Sequence, residues 1–250
     1  QLSMTRRSAV SVLDAENGGP DLSDPLLKLD LANGSIEVYI ENGKQYAKQG
    51  ESERQCDKLV VTSNGTQTDN ILTIKGGSVA AKVTLSNVNI DVSTTAALSV
   101  SGDVELILDG VNVLKSGYQR AGLQKNDDGV LTIDGTGSLE ARGGDYGAGI
   151  GGCDSRNGSE RGIGENITIN GGTINAYGGD QASGIGGGGF VGSDNAGARG
   201  RNITIAGGTV YAEAGFNAAA IGGGGNALGY DITITGGNVT VKKKGGKWIG

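Results

Sequence analysis

The sequence predicts an all-β chain wound as a right-handed parallel β-helix, with three short strands in each coil. Three observations carry this. A small-residue-flanked isoleucine recurs as Gly149-Ile150-Gly151, Gly184-Ile185-Gly186 and Ala220-Ile221-Gly222, at steps of 35 and 36 residues, with an echo at Trp248-Ile249-Gly250. A near-fixed interval of this size marks a repeat architecture. Between the copies lie two further apolar beats per unit, and no unit carries the i, i+3, i+4 stripe of a helix. Parallel strands cannot be joined by tight hairpins. Consecutive repeats must therefore pair by coiling, each strand about 4.8 Å from its equivalent. The sequence lacks the four-strand blades of a propeller and the Leu/Asn consensus of a leucine-rich repeat.

Composition narrows the function classes. Glycine supplies 49 of 250 residues and proline 2, without a collagen triplet, and the 36% hydrophobic share is too regularly placed for a disordered linker. A formal charge of −6 argues against a nucleic-acid partner, which needs clustered Lys and Arg. The one basic cluster, Lys242-Lys243-Lys244 with Lys247, reads as a solvated edge. Histidine is absent, which removes Ser-His-Asp and Cys-His catalysis and the usual zinc sites. Cys56 and Cys153 lack metal-like spacing; Cys153 stands where later repeats have glycine, and a disulfide between the two is the alternative reading. There is no apolar run long enough for a membrane-spanning helix, and the start does not resemble a signal peptide. A mature secreted or surface protein, or a piece of one, fits both.

Taken in order, residues 1–33 read as an arm or linker docked through Leu26, Leu27, Leu29 and Leu31, and residues 34–250 as one β-helix domain. Ile36, Val38 and Ile40 alternate as in a half-buried strand, residues 41–57 read as an irregular excursion, and regular glycine-rich coils begin near residue 83. Val88-Asn89-Ile90 matches Val111-Asn112-Val113, and Leu106-Ile107-Leu108-Asp109-Gly110 matches Leu131-Thr132-Ile133-Asp134-Gly135. Ile167-Thr168-Ile169, Ile203-Thr204-Ile205 and Ile232-Thr233-Ile234 form the first beat; Leu139/Ala141, Ile174/Ala176, Val210/Ala212 and Val239/Val241 form the second. The last copy stops mid-strand, so either the chain is cut inside its β-helix or Trp248 caps the end.

Period-two alternation assigns the faces. Isoleucines of the first strand point inward, Thr132, Thr168, Thr204 and Thr233 outward, and Asn166, Asn202 and Asp231 form a turn ladder. The second strand has the most varied exterior: Glu140 and Arg142, Asn175 and Tyr177, Tyr211 and Glu213, then Thr240 and Lys242. Cross-strand stabilisation accounts for such a set. It also makes a surface for sugar rings, with Arg142, Tyr177, Tyr211 and Glu213 as the candidate carbohydrate contacts. The third strand shows only Gly and Ala outward, either to serve sharp corners or as a bare strip for the arm, a partner or a flat ligand. Asp145 and Asp180 fall in matching turns, one strand spacing apart, either solvated or sharing a Ca²⁺ ion; the next turn offers Gly215, which would confine such a site to one pair of coils.

From Leu29 onward the order of motifs resembles glycine-rich β-helix proteins of anaerobic and gut bacteria, often labelled carbohydrate-binding domain-containing. The residues are Asn87-Val88-Asn89-Ile90, Val113-Leu114-Lys115-Ser116-Gly117, Ala121-Gly122-Leu123-Gln124, the run Leu131 to Leu139, and the Asn-Ile-Thr-Ile…Gly-Gly-Thr repeats ending in Gly-Ile-Gly-Gly. The resemblance implies a pectate-lyase-like coil, a secreted or cell-surface bacterial location and calcium as a stabilising ion. It implies no lyase or hydrolase activity, because polygalacturonase-type sites use a histidine absent here. The expected function is non-catalytic binding of polysaccharide or glycan as part of a larger adhesin, with no nucleic acid and no membrane insertion. A spacer or adhesin that binds a host or cell-wall protein is the alternative, and a polysaccharide lyase or hydrolase the third.

Overall fold

The computed structural model describes residues 26–125, 127–154, 162–190, 197–244 and 249–250. The N-terminal part holds β1 (Leu27–Asp30), a 3-10 turn at Leu31–Asn33, β2 (Ile36–Glu41), β3 (Lys44–Gln49) and β4 (Ser52–Gln55). Next come β5 (Leu59–Thr62), β6 (Leu72–Lys75), β7 (Ala81–Ser86), β8 (Asn89–Asp91), β9 (Leu98–Ser101), β10 (Val104–Asp109), β11 (Val111–Lys115) and β12 (Leu123–Lys125). The glycine-rich coils follow. They comprise β13 (Leu131–Gly135), β14 (Ser138–Arg142), β15 (Ile150–Gly151), β16 (Gly164–Ile169), β17 (Thr173–Tyr177) and β18 (Ile185–Gly186). The remaining strands are β19 (Gly200–Ile205), β20 (Thr209–Glu213), β21 (Ile221–Gly222), β22 (Gly229–Ile234) and β23 (Asn238–Lys242).

These strands form three sheets along one axis, giving a right-handed parallel β-helix. The first sheet runs β1-β5-β7-β10-β13-β16-β19-β22 and the second β8-β11-β14-β17-β20-β23. The third runs β21-β18-β15-β12-β9-β6-β2-β3-β4, parallel except for the antiparallel meander β2-β3-β4. Inside, the expected ladders form: Val83, Leu106, Ile133, Ile169, Ile205 and Ile234 are paired in register through the first sheet. Threonines 132, 168, 204 and 233 pair on its outer side. Ile90, Leu114, Ala141, Ala176, Ala212 and Val241 do the same in the second sheet, with alanine in the three middle coils.

Several boundaries differ from the sequence reading. The coil starts at Leu27, because β1 pairs in parallel with β5; Leu27 and Leu31 are buried and Leu29 is partly buried against the core, while Leu26 is exposed. Residues before 26 lie outside the described part, as does Trp248. Residues 41–57 are regular: they supply β3 and β4, with Ala47 and Gln45 buried. Gln45 accepts from Lys82 N–H at 2.6 Å and donates to Lys82 C=O at 3.1 Å, so its amide continues the ladder beside β7 at the one position before β5 begins to pair with it.

The register of the older coils also shifts. Val113 pairs with Asn89 and Leu114 with Ile90, so Val111 is exposed and Asn112 points inward. The buried Asn112 is satisfied: it accepts from Val88 N–H at 3.0 Å and donates to the carbonyls of Asp109 and Ser138 at 3.0 and 3.1 Å. Val104, not Leu106, pairs with Leu131. A two-residue slip of this kind preserves which face is apolar, whereas the one-residue shift at Val111 does not.

Candidate functional site

On the second sheet the strands β8 to β23 align two outward columns. One reads Asp91, Lys115, Arg142, Tyr177, Glu213 and Lys242; its neighbour reads Asn89, Val113, Glu140, Asn175, Tyr211 and Thr240. All four predicted carbohydrate contacts therefore meet on one face. Arg142 Nε donates to Glu140 Oε1 at 2.6 Å, and its guanidinium lies 3.8 Å from the centre of the Tyr177 ring. The Tyr177 and Tyr211 rings are 5.6 Å apart and tilted by 51°. Tyr211 Oη donates to Glu213 Oε2 at 2.7 Å, and Lys242 Nζ lies 3.4 Å from the same oxygen.

The chain of contacts sets the charge states. Tyr211 is pushed up to about 12, first by its hydrogen bond to Glu213 and then by burial. Glu213 is held below the ordinary carboxylate range, chiefly by that same bond, with Lys242 adding to it. Arg142 is raised, mainly by its bond to Glu140. The face is thus a fixed sequence of guanidinium, two rings, carboxylate and ammonium, with the two rings tilted to one another so that they form no single flat aromatic plane.

At the corner beyond this sheet the turns stack. Gln119 N–H donates to Asp145 C=O at 2.9 Å and Tyr146 N–H to Asp180 C=O at 3.0 Å, while Gln119, Tyr146, Gln181 and Asn217 share a left-handed backbone (φ 65, 66, 55 and 58°). This places Asp145 and Asp180 one rung apart, both exposed. The equivalent residue of the following turn is Phe216, not Gly215, and that of the preceding turn is Tyr118. A Cβ on Gly215 would meet Gly179, and one on Gly144 would meet Gly117, which fixes the alignment. The ridge therefore reads Tyr118, Asp145, Asp180, Phe216, its two aromatic ends 53% and 55% exposed. Tyr118 meets Tyr146 edge-on, with centres 6.3 Å apart. Tyr146 is raised by burial first and by nearby Asp180 next. Sequence reading missed Tyr118, Tyr146 and Phe216; counting back five residues from each third-strand isoleucine finds Phe216 directly.

Asp145 and Asp180 could give a cation two carboxylates. The backbone carbonyls of both already accept from Gln119 and Tyr146, and a calcium ion takes six to eight oxygens, so the two carboxylates alone would fill only part of its shell. Among the described residues no group of three or more His, Cys, Asp or Glu side chains is arranged to hold a metal.

The bare third strip is closed. Gly151, Gly186 and Gly222 are buried, and the chain entering the next coil lies against them: a Cβ on Gly164 would sit 1.9 Å from Gly186 O, and one on Gly186 (φ +129°) 2.1 Å from Gly222 O. Backbone packs on backbone there, which only glycine permits. The strip offers no surface to an arm, partner or flat ligand. Cys56 and Cys153 are buried thiols with no disulfide between them.

A protein-family model described as a beta helix repeat matches residues 131–154, 167–189 and 203–225, three successive glycine-rich coils. No curated protein and no solved structure gave a significant match. The chain is thereby similar to β-helix repeat proteins over these coils, in agreement with the three sheets.

Proposed function

We propose that this β-helix is a non-catalytic module that binds a polysaccharide or glycan on the outer face of its second sheet, within a secreted or cell-surface bacterial adhesin. The observation that carries this reading is the in-register set Arg142, Tyr177, Tyr211 and Glu213 on the outer side of one sheet, where aromatic rings and held polar groups lie side by side. Rigid elements suit recognition because the side chains lose little freedom on binding. Tyr118 and Phe216 extend the aromatic surface around the corner. Calcium between Asp145 and Asp180 belongs to the proposal as a weakly held surface ion.

Pull-down of the protein on insoluble cellulose, pectin and mucin tests it. Retention on at least one, reduced severalfold by Tyr177→Ala and Tyr211→Ala, is expected; no retention on any of them would sink the reading. For the ion, millimolar calcium should raise the melting temperature of the chain and not that of Asp145→Asn/Asp180→Asn, since a ligand bound only by the folded state stabilises it. A second reading, a spacer or protein-binding adhesin, is favoured by one observation. Arg142, Tyr177, Tyr211, Glu213 and Lys242 already satisfy one another.

A further inference from the structure

We infer that the glycan accepted by the second sheet is a neutral one, and that a polysaccharide bearing a carboxylate on each sugar is rejected; this rests on the glycan reading above. The two outward columns of that sheet carry three cations and three carboxylates, and the structure pairs them. Lys115 Nζ lies 3.5 Å from Asp91 Oδ2, Arg142 Nε 2.6 Å from Glu140 Oε1 and Lys242 Nζ 3.4 Å from Glu213 Oε2. Arg142 is committed twice, since its guanidinium also covers Tyr177. A uronate approaching this face finds every cation of the two columns neutralised. It also meets Glu140 and Glu213 beside the two tyrosines, and like charges brought together without water are rejected strongly.

Within the columns of this sheet, what remains open to a ligand is uncharged. The third outward column is Val111, Ser138, Thr173, Thr209 and Asn238 in register, polar from Ser138 onward, and Asn175 lies between Glu140 and Tyr211 in the second. Tyr211 donates its O–H hydrogen bond to Glu213, so its phenolic oxygen is left as an acceptor for a hydroxyl. Hydroxyls and amides run without a break over the four strands β14, β17, β20 and β23, about 14 Å along the axis at about 4.8 Å per strand, and match an extended stretch of uncharged, hydroxyl-rich sugars.

The test is isothermal titration calorimetry of the full chain with cellohexaose, xylohexaose and hexagalacturonate, at low and high salt. A neutral hexaose should bind with a Kd that changes less than about twofold with salt. Hexagalacturonate should bind at least about tenfold more weakly. Glu140→Gln, which frees Arg142, should bring hexagalacturonate to within a few fold of the neutral sugar. Hexagalacturonate binding as tightly as the neutral hexaoses, or more tightly and in a salt-sensitive way, overturns the neutral class and leaves the glycan reading standing. Continued exclusion of hexagalacturonate by Glu140→Gln overturns the charge argument. No binding of any hexaose overturns this inference and the glycan reading together.

Discussion

At the N-terminal end of the solenoid Ile36 and Val38 are 2% and 0% exposed, whereas at the other end Ile234, the same kind of inward residue, is 42% exposed. The N-terminal rung is covered because β3 and β4 carry the third sheet on as an antiparallel meander beyond β2. The outermost strand there, Ser52–Gln55, is short and polar with Glu53 and Arg54, a composition that discourages further pairing. The final rung, β22 and β23, has no such cover among the described residues, and Ile232, Val239 and Val241 are only partly buried. One lesson is that an inward side chain in a coil owes its burial to the coil on each side of it. A repeat unit contributes stability mainly through its neighbours.

The largest expected effect tests that lesson directly. Ile169→Ala, in the middle of the stack, should cost about 2–5 kcal/mol, while Ile234→Ala should cost about 1 kcal/mol or less, read from urea midpoints. Equal costs would break the contrast. In the meander that covers that end, Gln45→Leu keeps the volume but strands the N–H and C=O of Lys82 in β7, and a loss of about 1–3 kcal/mol is expected from the same measurement.

Between the ends, where leucine-bearing coils give way to glycine-rich ones, sits Lys125, 1% exposed. Its ammonium donates to the carbonyl of Asp127, and burial lowers its pKa against the opposing pull of Asp127 and Glu165. The unfolded chain therefore holds this proton to higher pH than the native one. Stability from this group rises with pH between the lowered native value and the ordinary lysine value. Lys125→Met should flatten that rise and stabilise the protein below it by about 1 kcal/mol, because Asp127 is solvated and Glu165 keeps Arg201. Thermal melts across the alkaline range would show it; a destabilised variant would mean the lysine is needed as a cation.

The smallest effect lies on the outer face. Tyr211→Phe should cost under about 1 kcal/mol and let the Glu213 pKa rise toward the ordinary range, followed by carbon-detected NMR titration. Since the native Glu213 value is depressed, its contribution is present above the unfolded value and lost as pH falls through the native one. The stability gap between wild type and variant should close over that acidic window.

The glycine-rich coils were legible in the sequence because one pattern repeats there with strict parity: Ile-Thr-Ile, then Val-x-Ala, then Ile-Gly. The four residues Arg142, Tyr177, Tyr211 and Glu213 followed from that parity, since alternation alone puts them on one face. The earlier coils were harder to read. Val111-Asn112-Val113 looks apolar-polar-apolar, yet the asparagine is the inward residue, held by three backbone groups that only the folded corner brings together. Residues 41–57 seemed irregular because Lys44, Gln45, Glu53 and Arg54 dilute the alternation that Tyr46 and Ala47 carry weakly. The closure of the glycine strip could not be seen at all, as it depends on where the next coil enters.

The ladders have a mechanical consequence. Their hydrogen bonds run along the solenoid axis, between one coil and the next. Tension applied to the two ends loads a single coil boundary at a time instead of shearing many bonds at once. Among the described residues the rung with the thinnest ladder is that of β22 and β23, whose third strand is the bridge from Ile221 to Ile249, and it is expected to yield first. Stretched in a force spectrometer, the chain should lengthen in steps of one coil, peeling from the C-terminal end toward the meander.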